Sequence, residues 1–257
     1  MTQPIATIDP AVLRMSRTIA RDAMDAGAQA VVLAGSHANG SANQHSDVDL
    51  LIVGKGPGYT LSRRGRFLVS TEWRTPAACR ASLRTPSAVG AAVPGWRQAI
   101  IIEDPHGTAA AIQRRAHAFT WDAITEACDR WVADQITGYA EEVHKLVAAV
   151  ESGSTHAAAA WRSILALRLA PIMAVHRRIL YGTENVLWDL VSQSMGDPWA
   201  SAQSRALCER RETQEASCRA ALDLYTFAAT ECWPLLNRSQ RRVVRHAATI
   251  AGYSLTH

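Results

Sequence analysis

Apolar and polar residues follow two different rhythms along this chain, and the change falls near residue 119. Between Pro10 and Ala26, Val12, Met15, Ile19 and Met24 recur near helical spacing, and Gly27 stands at the end. That pattern predicts an amphipathic helix. Short apolar runs at 29–34 and 48–53 predict strands. Gly54-Lys55-Gly56-Pro57-Gly58 is a turn cluster. Arg66 to Trp73 is a third strand candidate, and Thr75 to Thr85 reads as a helix with Pro76 at its first position. A Pro- and Gly-containing loop is expected next, leading to a short buried strand at Ala99–Glu103. Asp104-Pro105-His106-Gly107 is a structural turn, and Thr108 is positioned to cap a helix running through Ala118.

Beyond residue 119 the strand signals stop. Trp121–Val150, His156–Leu180, Glu184–Ser194, Trp199–Arg211, Gln214–Glu231 and Ser239–Ala251 all read as helices. Breaks fall at Ser152-Gly153-Ser154, Gly182-Thr183, Gly196-Asp197-Pro198 and Trp233-Pro234. Mixed α/β followed by all-helix is an α+β arrangement. It predicts an N-terminal domain over 1–119 and a C-terminal helical bundle over 120–257.

Composition narrows the class. With 257 residues, 48% hydrophobic and 19% charged, the chain is expected to fold as an ordinary soluble globular protein. No unbroken apolar run approaches the ~20 residues that span a bilayer, and Met1-Thr2-Gln3-Pro4 shows no secretory pattern. The five cysteines, Cys79, Cys128, Cys208, Cys218 and Cys232, are odd in number and lack Cys-x-x-Cys spacing. Free thiols in a cytoplasmic setting are the expectation. No cluster has zinc-ligand spacing. Charge is uneven: residues 1–118 hold 13 Lys and Arg against 8 Asp and Glu, and residues 119–257 hold 14 against 15. A basic first half suits a triphosphate. With no dense basic run, and a helical half that is slightly acidic, the pattern disfavours nucleic acid as a partner. The eight tryptophans are mostly core or interface by composition alone.

One constellation carries chemistry. The run Val31-Val32-Leu33-Ala34 ends in Gly35-Ser36, and a polar loop leads to Ser46-Asp47-Val48-Asp49-Leu50. Side chains alternate in a strand, so Asp47 and Asp49 share a face. Two carboxylates so placed repel unless a cation lies between them. Mg²⁺ takes carboxylate and phosphate oxygens, and paired ions ~4 Å apart suit in-line phosphoryl chemistry. Gly35 lets backbone approach a phosphate, and Ser36 opens a helix whose free N–H groups favour an anion. His37, Asn39 and Ser46 border the same turn, while His45 reads as a loop residue.

Gly-Ser ahead of Asp-x-Asp-Leu resembles the signature of the DNA polymerase beta-like nucleotidyltransferase superfamily. The resemblance implies a small, mainly antiparallel sheet in a catalytic domain. It implies Asp47 and Asp49 as catalytic metal ligands, with Gly35, Ser36, His37 and Ser46 around the nucleotide. The superfamily usually adds a third carboxylate from the next strand. Here position 70, where that acid aligns without a gap, is Ser, and the strand's only acid is Glu72. Glu72 lies on the same face and could reach in as a third ligand; it could equally belong to the turn before the next helix.

Two stretches of the helical half are similar to kanamycin-type aminoglycoside nucleotidyltransferases: Tyr139-Ala140-Glu141-Glu142-Val143-His144-Lys145, and Ala174-Val175-His176-Arg177-Arg178-Ile179-Leu180-Tyr181-Gly182-Thr183-Glu184-Asn185-Val186-Leu187-Trp188. The similarity implies Glu141 as the base that deprotonates a sugar hydroxyl and Lys145 as a phosphate contact. A gapless alignment on Tyr139-Ala140 puts Gly138 and Glu142 at those positions instead. Glu141 and Lys145 also form the common i, i+4 surface pair. His176-Arg177-Arg178 reads equally as a pocket lining or a solvated helix face. The reaction so implied moves a nucleoside monophosphate from a triphosphate, ATP foremost, to a hydroxyl of a small acceptor. It needs Mg²⁺, as two ions, and releases pyrophosphate. An aminoglycoside-like antibiotic, a resistance role and a homodimer follow from the resemblance, with no membrane partner. A pI near 9.0 fits a cationic acceptor poorly, which admits a neutral one. The rival readings are a toxin-like enzyme acting on RNA or protein, and a non-catalytic nucleotide-binding module.

Overall fold

The computed structural model describes residues 8–207 and 212–255. The chain divides into two compact units, Met1–Thr120 and Trp121–His257. The first is mixed α/β with a five-stranded, mostly antiparallel sheet; the second is helical.

In the first unit, α1 (Pro10–Asp25) starts where the Asp9 side chain accepts from the Ala11 N–H at 2.8 Å. The strands β1 (Ala30–Ala34) and β2 (Val48–Val53) flank the short helix α2 (Gly35–Asn39) and the polar loop after it. β3 (Tyr59–Arg64) and β4 (Phe67–Arg74) form a hairpin. Then come α3 (Pro76–Ser82), α4 (Pro86–Gln98), β5 (Ile100–Glu103) and α5 (Thr108–His117). The sheet order is β3-β4-β2-β1-β5, with β2 and β4 parallel and the other pairs antiparallel. Alternation sorts the faces. Val31, Leu33, Val48, Leu50, Ile52 and Val69 turn to one side, where Val12, Ala20 and Ala23 of α1 bury them. Ala34, Asp49, Ser70 and Glu72 turn to the other.

Three readings of the first half need correction, and one strand is additional. The hairpin strand β3 lies in a stretch to which no element was assigned: every residue of it is exposed, so no apolar run announced it. Its signal was Gly65, which at φ 60° takes the first place of a two-residue turn between Arg64 and Phe67. The segment after Arg84 is helix α4, not loop, because Val89, Val93 and Trp96 share a buried stripe despite the internal Pro94. β5 lies at the sheet edge and is only half-buried. Thr108 does not cap α5: Gly107 is the N-cap, and Asp104 Oδ2 accepts from the Ala110 N–H at 2.9 Å.

In the second unit, α6 (Thr125–Gly138) and α7 (Ala140–Glu151) break at Tyr139, where one continuous helix was expected. They are followed by α8 (Thr155–His176), α9 (Leu187–Met195), α10 (Asp197–Ala206), α11 (Gln214–Cys232) and α12 (Arg238–Ile250). Residues 208–211, the expected end of the helix begun at Trp199, and Cys208 lie outside the described residues. α8 is central, packed against α7, α11, α6 and α9. With 22 residues it is long and apolar enough to cross a membrane by length and composition, although it carries Arg162 and Arg168 and half of it is buried in the bundle. Two buried polar groups find partners inside the unit: the Tyr225 hydroxyl donates to the Ile136 carbonyl at 3.1 Å, and Trp199 Nε1 donates to Gln203 at 3.0 Å. Cys79, Cys128, Cys218 and Cys232 are buried.

Candidate active site

The motif residues of the first unit converge on one end of β2. Gly35 opens α2 at φ 64°, and a Cβ built on it would meet Asp49 Oδ2 at 2.2 Å. Position 35 therefore excludes every side chain twice, by conformation and by space. The Asp49 carboxylate occupies the place that a side chain at 35 would take, beside the first turn of α2. β2 carries Asp49 between Ala34 of β1 and Ser70 of β4. The Ser70 hydroxyl donates to Asp49 Oδ1 at 2.6 Å. Asp47, just ahead of β2, is half-buried and has no hydrogen-bond or ion-pair partner among the described residues.

Glu72 falls two residues beyond Ser70 on the same sheet face. Its Oε1 accepts from Arg74 Nε at 2.7 Å. Gly35, Asp49, Tyr59, Ser70, Glu72 and Arg74 line a shared cavity of about 300 Å³. Glu72 thus reaches the cavity, but as half of an ion pair. Among the described residues no three His, Cys, Asp or Glu side chains gather into a metal-binding group. Two carboxylates remain, Asp47 with no partner and Asp49 with one oxygen unbonded. That donor set fits Mg²⁺, which is commonly held by one or two carboxylates, phosphate oxygens and water.

A second cavity, of about 530 Å³, is lined by His37, Ser46, Arg66 and Phe67 among others. His37 Nε2 is buried without a partner. Its ring meets Phe67 edge-on, with centroids 6.4 Å apart. Ser46 Oγ accepts from the Asn43 N–H at 2.9 Å, which fixes the loop and leaves the hydroxyl hydrogen available. Arg66 pairs with Asp9 at 2.7 Å and covers the Phe67 ring. The Ala11 N–H foremost, and then Arg66, hold the Asp9 carboxyl below its ordinary range against the opposing effect of burial. Ser36 is half-buried in α2, and Asn39 is committed to the Ser41 N–H and hydroxyl.

In the second unit Glu141 and Lys145 form an ion pair at 2.7 Å on α7. Lys145 also lies 3.8 Å from Glu142 and 4.5 Å from the centre of the Trp161 ring. The Lys145 hydrogen bond holds the exposed Glu141 carboxyl below its usual range, and Glu141 raises Lys145 in return. His176-Arg177-Arg178 is the end of α8 and the turn after it, not a helix face. Arg177 pairs with Glu231 at 2.8 Å, and Arg178, at φ 58°, pairs with Asp129 at 2.5 Å.

Reading the sequence missed Ser70 as the partner of Asp49, Arg74 as the partner of Glu72, and Tyr59 in the cavity wall. The gapless alignment put Ser70 opposite the motif; what it lacked was the hydroxyl's direction. Tyr59 and Arg74 follow only from the β3–β4 register.

Comparison with known proteins bears on this unit first. Residues 17–86 match the family model of the nucleotidyltransferase domain, a span that includes the Gly35 turn, Asp47, Asp49, Ser70 and Glu72. No curated protein matches the chain. A solved structure, a nucleotidyltransferase-like protein from Exiguobacterium sibiricum 255-15, is similar in fold. Its TM-score is 0.54 at 14% identity, and the match covers 92% of this chain and 79% of that one.

Proposed function

We propose that the chain is a metal-dependent nucleotidyltransferase acting on a hydroxyl acceptor. The observation that carries this reading is the seat of Asp49 against Gly35: a carboxylate with an unbonded oxygen, held where the backbone of a helix start lies bare. The family match over residues 17–86 supports the general chemistry. Asp47 and Asp49 would hold Mg²⁺, which when bound offsets the charge of the phosphates. Gly35, Ser36 and the leading amides of α2 hold the triphosphate, with His37 and Ser46 beside them. Glu72 becomes a third ligand only when it leaves Arg74.

From the resemblance we assign Glu141 as base and Lys145 as phosphate contact. Lys145 lowers the Glu141 carboxyl at present. When Lys145 turns to a phosphate, Glu141 loses that hydrogen bond and becomes the stronger base. The acceptor oxygen then gives its proton to Glu141 and bonds to the α-phosphorus. The bond from that phosphorus to the bridging oxygen breaks, and pyrophosphate leaves. The proposed donor is ATP. The proposed acceptor is a small hydroxylated compound of the aminoglycoside kind, modified by a cytoplasmic homodimer.

The test is pyrophosphate release with Mg²⁺ and each of ATP, GTP, CTP and UTP, against aminoglycosides and other hydroxylated antibiotics, with Asp49→Ala as control. Release that requires one antibiotic and Asp49 supports the reading, and the mass of the adduct names the hydroxyl. Release that survives Asp49→Ala, or an absence of nucleotide binding, overturns it. Nucleotide binding without turnover moves the acceptor to a macromolecule.

A further inference from the structure

The last helix carries a feature that nucleotide chemistry does not use. Glu231 is the last side-chain acid of the chain; residues 232–257 contain Arg238, Arg241, Arg242 and Arg245 and no Asp or Glu. The rest of the helical half, residues 119–231, holds 10 Lys and Arg against 15 Asp and Glu. The basic charge is thus concentrated on α12, and a count over the whole half hides it. At ~3.6 residues per turn, positions 238, 242, 245 and 249 fall in one stripe, flanked by 241 and 246. The buried residues Val244, Ala247 and Ala248 lie on the opposite side. The arginine stripe is therefore the solvent face.

Arg238, Arg242 and Arg245 are exposed, and none has a carboxylate partner among the described residues. Trp233 steadies two guanidinium groups of the stripe: Arg245 lies 5.1 Å and Arg241 5.5 Å from its ring centre. Arg241 also donates to the Trp233 carbonyl at 3.4 Å. The His246 ring packs 5.2 Å from that of His144 on α7. Among the described residues the one acid bonded to α12 is Asp134, which accepts from the Gln240 amide on the far flank. Like charges at i, i+3 and i, i+4 weaken a helix unless an anion lies across them. Guanidinium forks match phosphate oxygens two at a time. Arg238 to Arg245 spans ~10 Å of helix, the length of several consecutive phosphates along a strand.

We propose that the arginine stripe of α12 docks the phosphodiester backbone of RNA. A lipid surface fits less well, because Val244, Ala247 and Ala248 of α12 are already buried in the bundle and the exposed Val243 and Ile250 are too few to make a face that sinks among acyl chains. The docking stands apart from the catalytic reading; the choice of RNA over DNA rests on its alternative, a macromolecular hydroxyl acceptor, since RNA offers a hydroxyl on every sugar.

The test uses the full chain without nucleotide or Mg²⁺, so a failure of the catalytic reading leaves it untouched. Anisotropy of a labelled, mixed-sequence, single-stranded RNA is followed as KCl is raised. Three or four phosphate contacts predict that log K falls with log salt at a slope of about −2 to −3. Arg238→Gln/Arg242→Gln/Arg245→Gln is expected to weaken binding about tenfold or more and to flatten the slope by about 2. Arg14→Gln/Arg17→Gln/Arg21→Gln removes the same charge from exposed positions of α1 and should change binding less than about twofold. Circular dichroism checks that both variants fold. Absence of RNA binding in low salt overturns the proposal, as does an equal loss in both variants. So does binding to anionic vesicles without binding to RNA. Equal or tighter binding of the DNA of the same sequence overturns the choice of RNA.

Discussion

Two small sets of carboxylates, one beside the Gly35 turn and one in the helical unit, are treated in opposite ways. Beside the Gly35 turn, Asp47 has no partner and Asp49 is tied only by the Ser70 hydroxyl. In the helical unit Glu141, Asp129 and Glu231 each meet a basic side chain within 2.8 Å. A paired acid is neutralised by its own protein. An acid left bare and half-buried, in a unit with an excess of basic residues, is poised for a cation from outside. The contrast separates acids already met by a basic side chain from the two acids to which the proposal gives a ligand. It makes Glu141 the instructive case, because the role proposed for it requires that it leave its pair.

The largest effect should come from the bare pair. Asp49→Ala is expected to cost about a thousandfold or more in turnover, while circular dichroism shows an unchanged fold. Asp47→Ala should behave alike, because the proposal has both carboxylates hold the same ion. Near-native activity in either variant, read by pyrophosphate release, would erase the distinction between bare and paired acids.

The paired acid comes next. Glu141→Gln should lower kcat about a hundredfold, within the span of general bases, and leave nucleotide affinity nearly unchanged. Lys145→Ala should instead raise the KM for the triphosphate. If both variants keep wild-type rates, Glu141–Lys145 is only the surface pair that its spacing allows. The base must then be sought elsewhere, with Glu142 the neighbour to substitute first.

Gly35 tests whether the bare pair depends on backbone shape. Gly35→Ala forces a side chain into the left-handed region, at a cost of about 1–2 kcal/mol. It also drives a Cβ to 2.2 Å from Asp49 Oδ2 unless the carboxylate moves. The expected loss in turnover is tenfold to about a hundredfold, the size that a displacement of about 1 Å can produce. Unfolding in urea would report the stability cost separately. A variant that is destabilised yet fully active would show that the seat of Asp49 does not matter to catalysis.

Much of this was legible from residue order, for a physical reason. Periodicity of two fixes faces, so Ser70 and Glu72 were put on one face of their strand without coordinates, and the change of rhythm near residue 119 marked where strands give way to helices. What stayed hidden depends on registry between segments distant in sequence. β3 is an exposed edge strand whose alternation brings nothing into the core, and Arg74 became the partner of Glu72 only once β4 was aligned. α4 was obscured because Gly90, Pro94 and Gly95 are breakers by propensity, yet Val89, Val93 and Trp96 bury enough to override them. The stripe on α12 was lost to averaging: acids elsewhere in the helical half cancelled a charge that the fold gathers on one face.

The smallest effect concerns a paired acid of the helical unit, and it reads in pH. His176 lies 3.9 Å from Glu231, which also holds Arg177. Burial lowers the His176 imidazole from its ordinary 6.5, Arg177 pushes the same way, and Glu231 opposes both. The unfolded chain therefore takes up the proton more readily than the folded one. The folded state gains its full stability from this residue above pH 6.5 and loses it as the pH falls through the lowered value. The urea midpoint, followed by tryptophan fluorescence, should decline modestly below that pH, and His176→Asn should flatten the decline. An identical decline in the variant would mean that Glu231 already compensates the imidazolium. The salt bridge would then outweigh burial, and Glu231 would stand with the neutralised acids in a second sense, as the counter-ion of two basic groups.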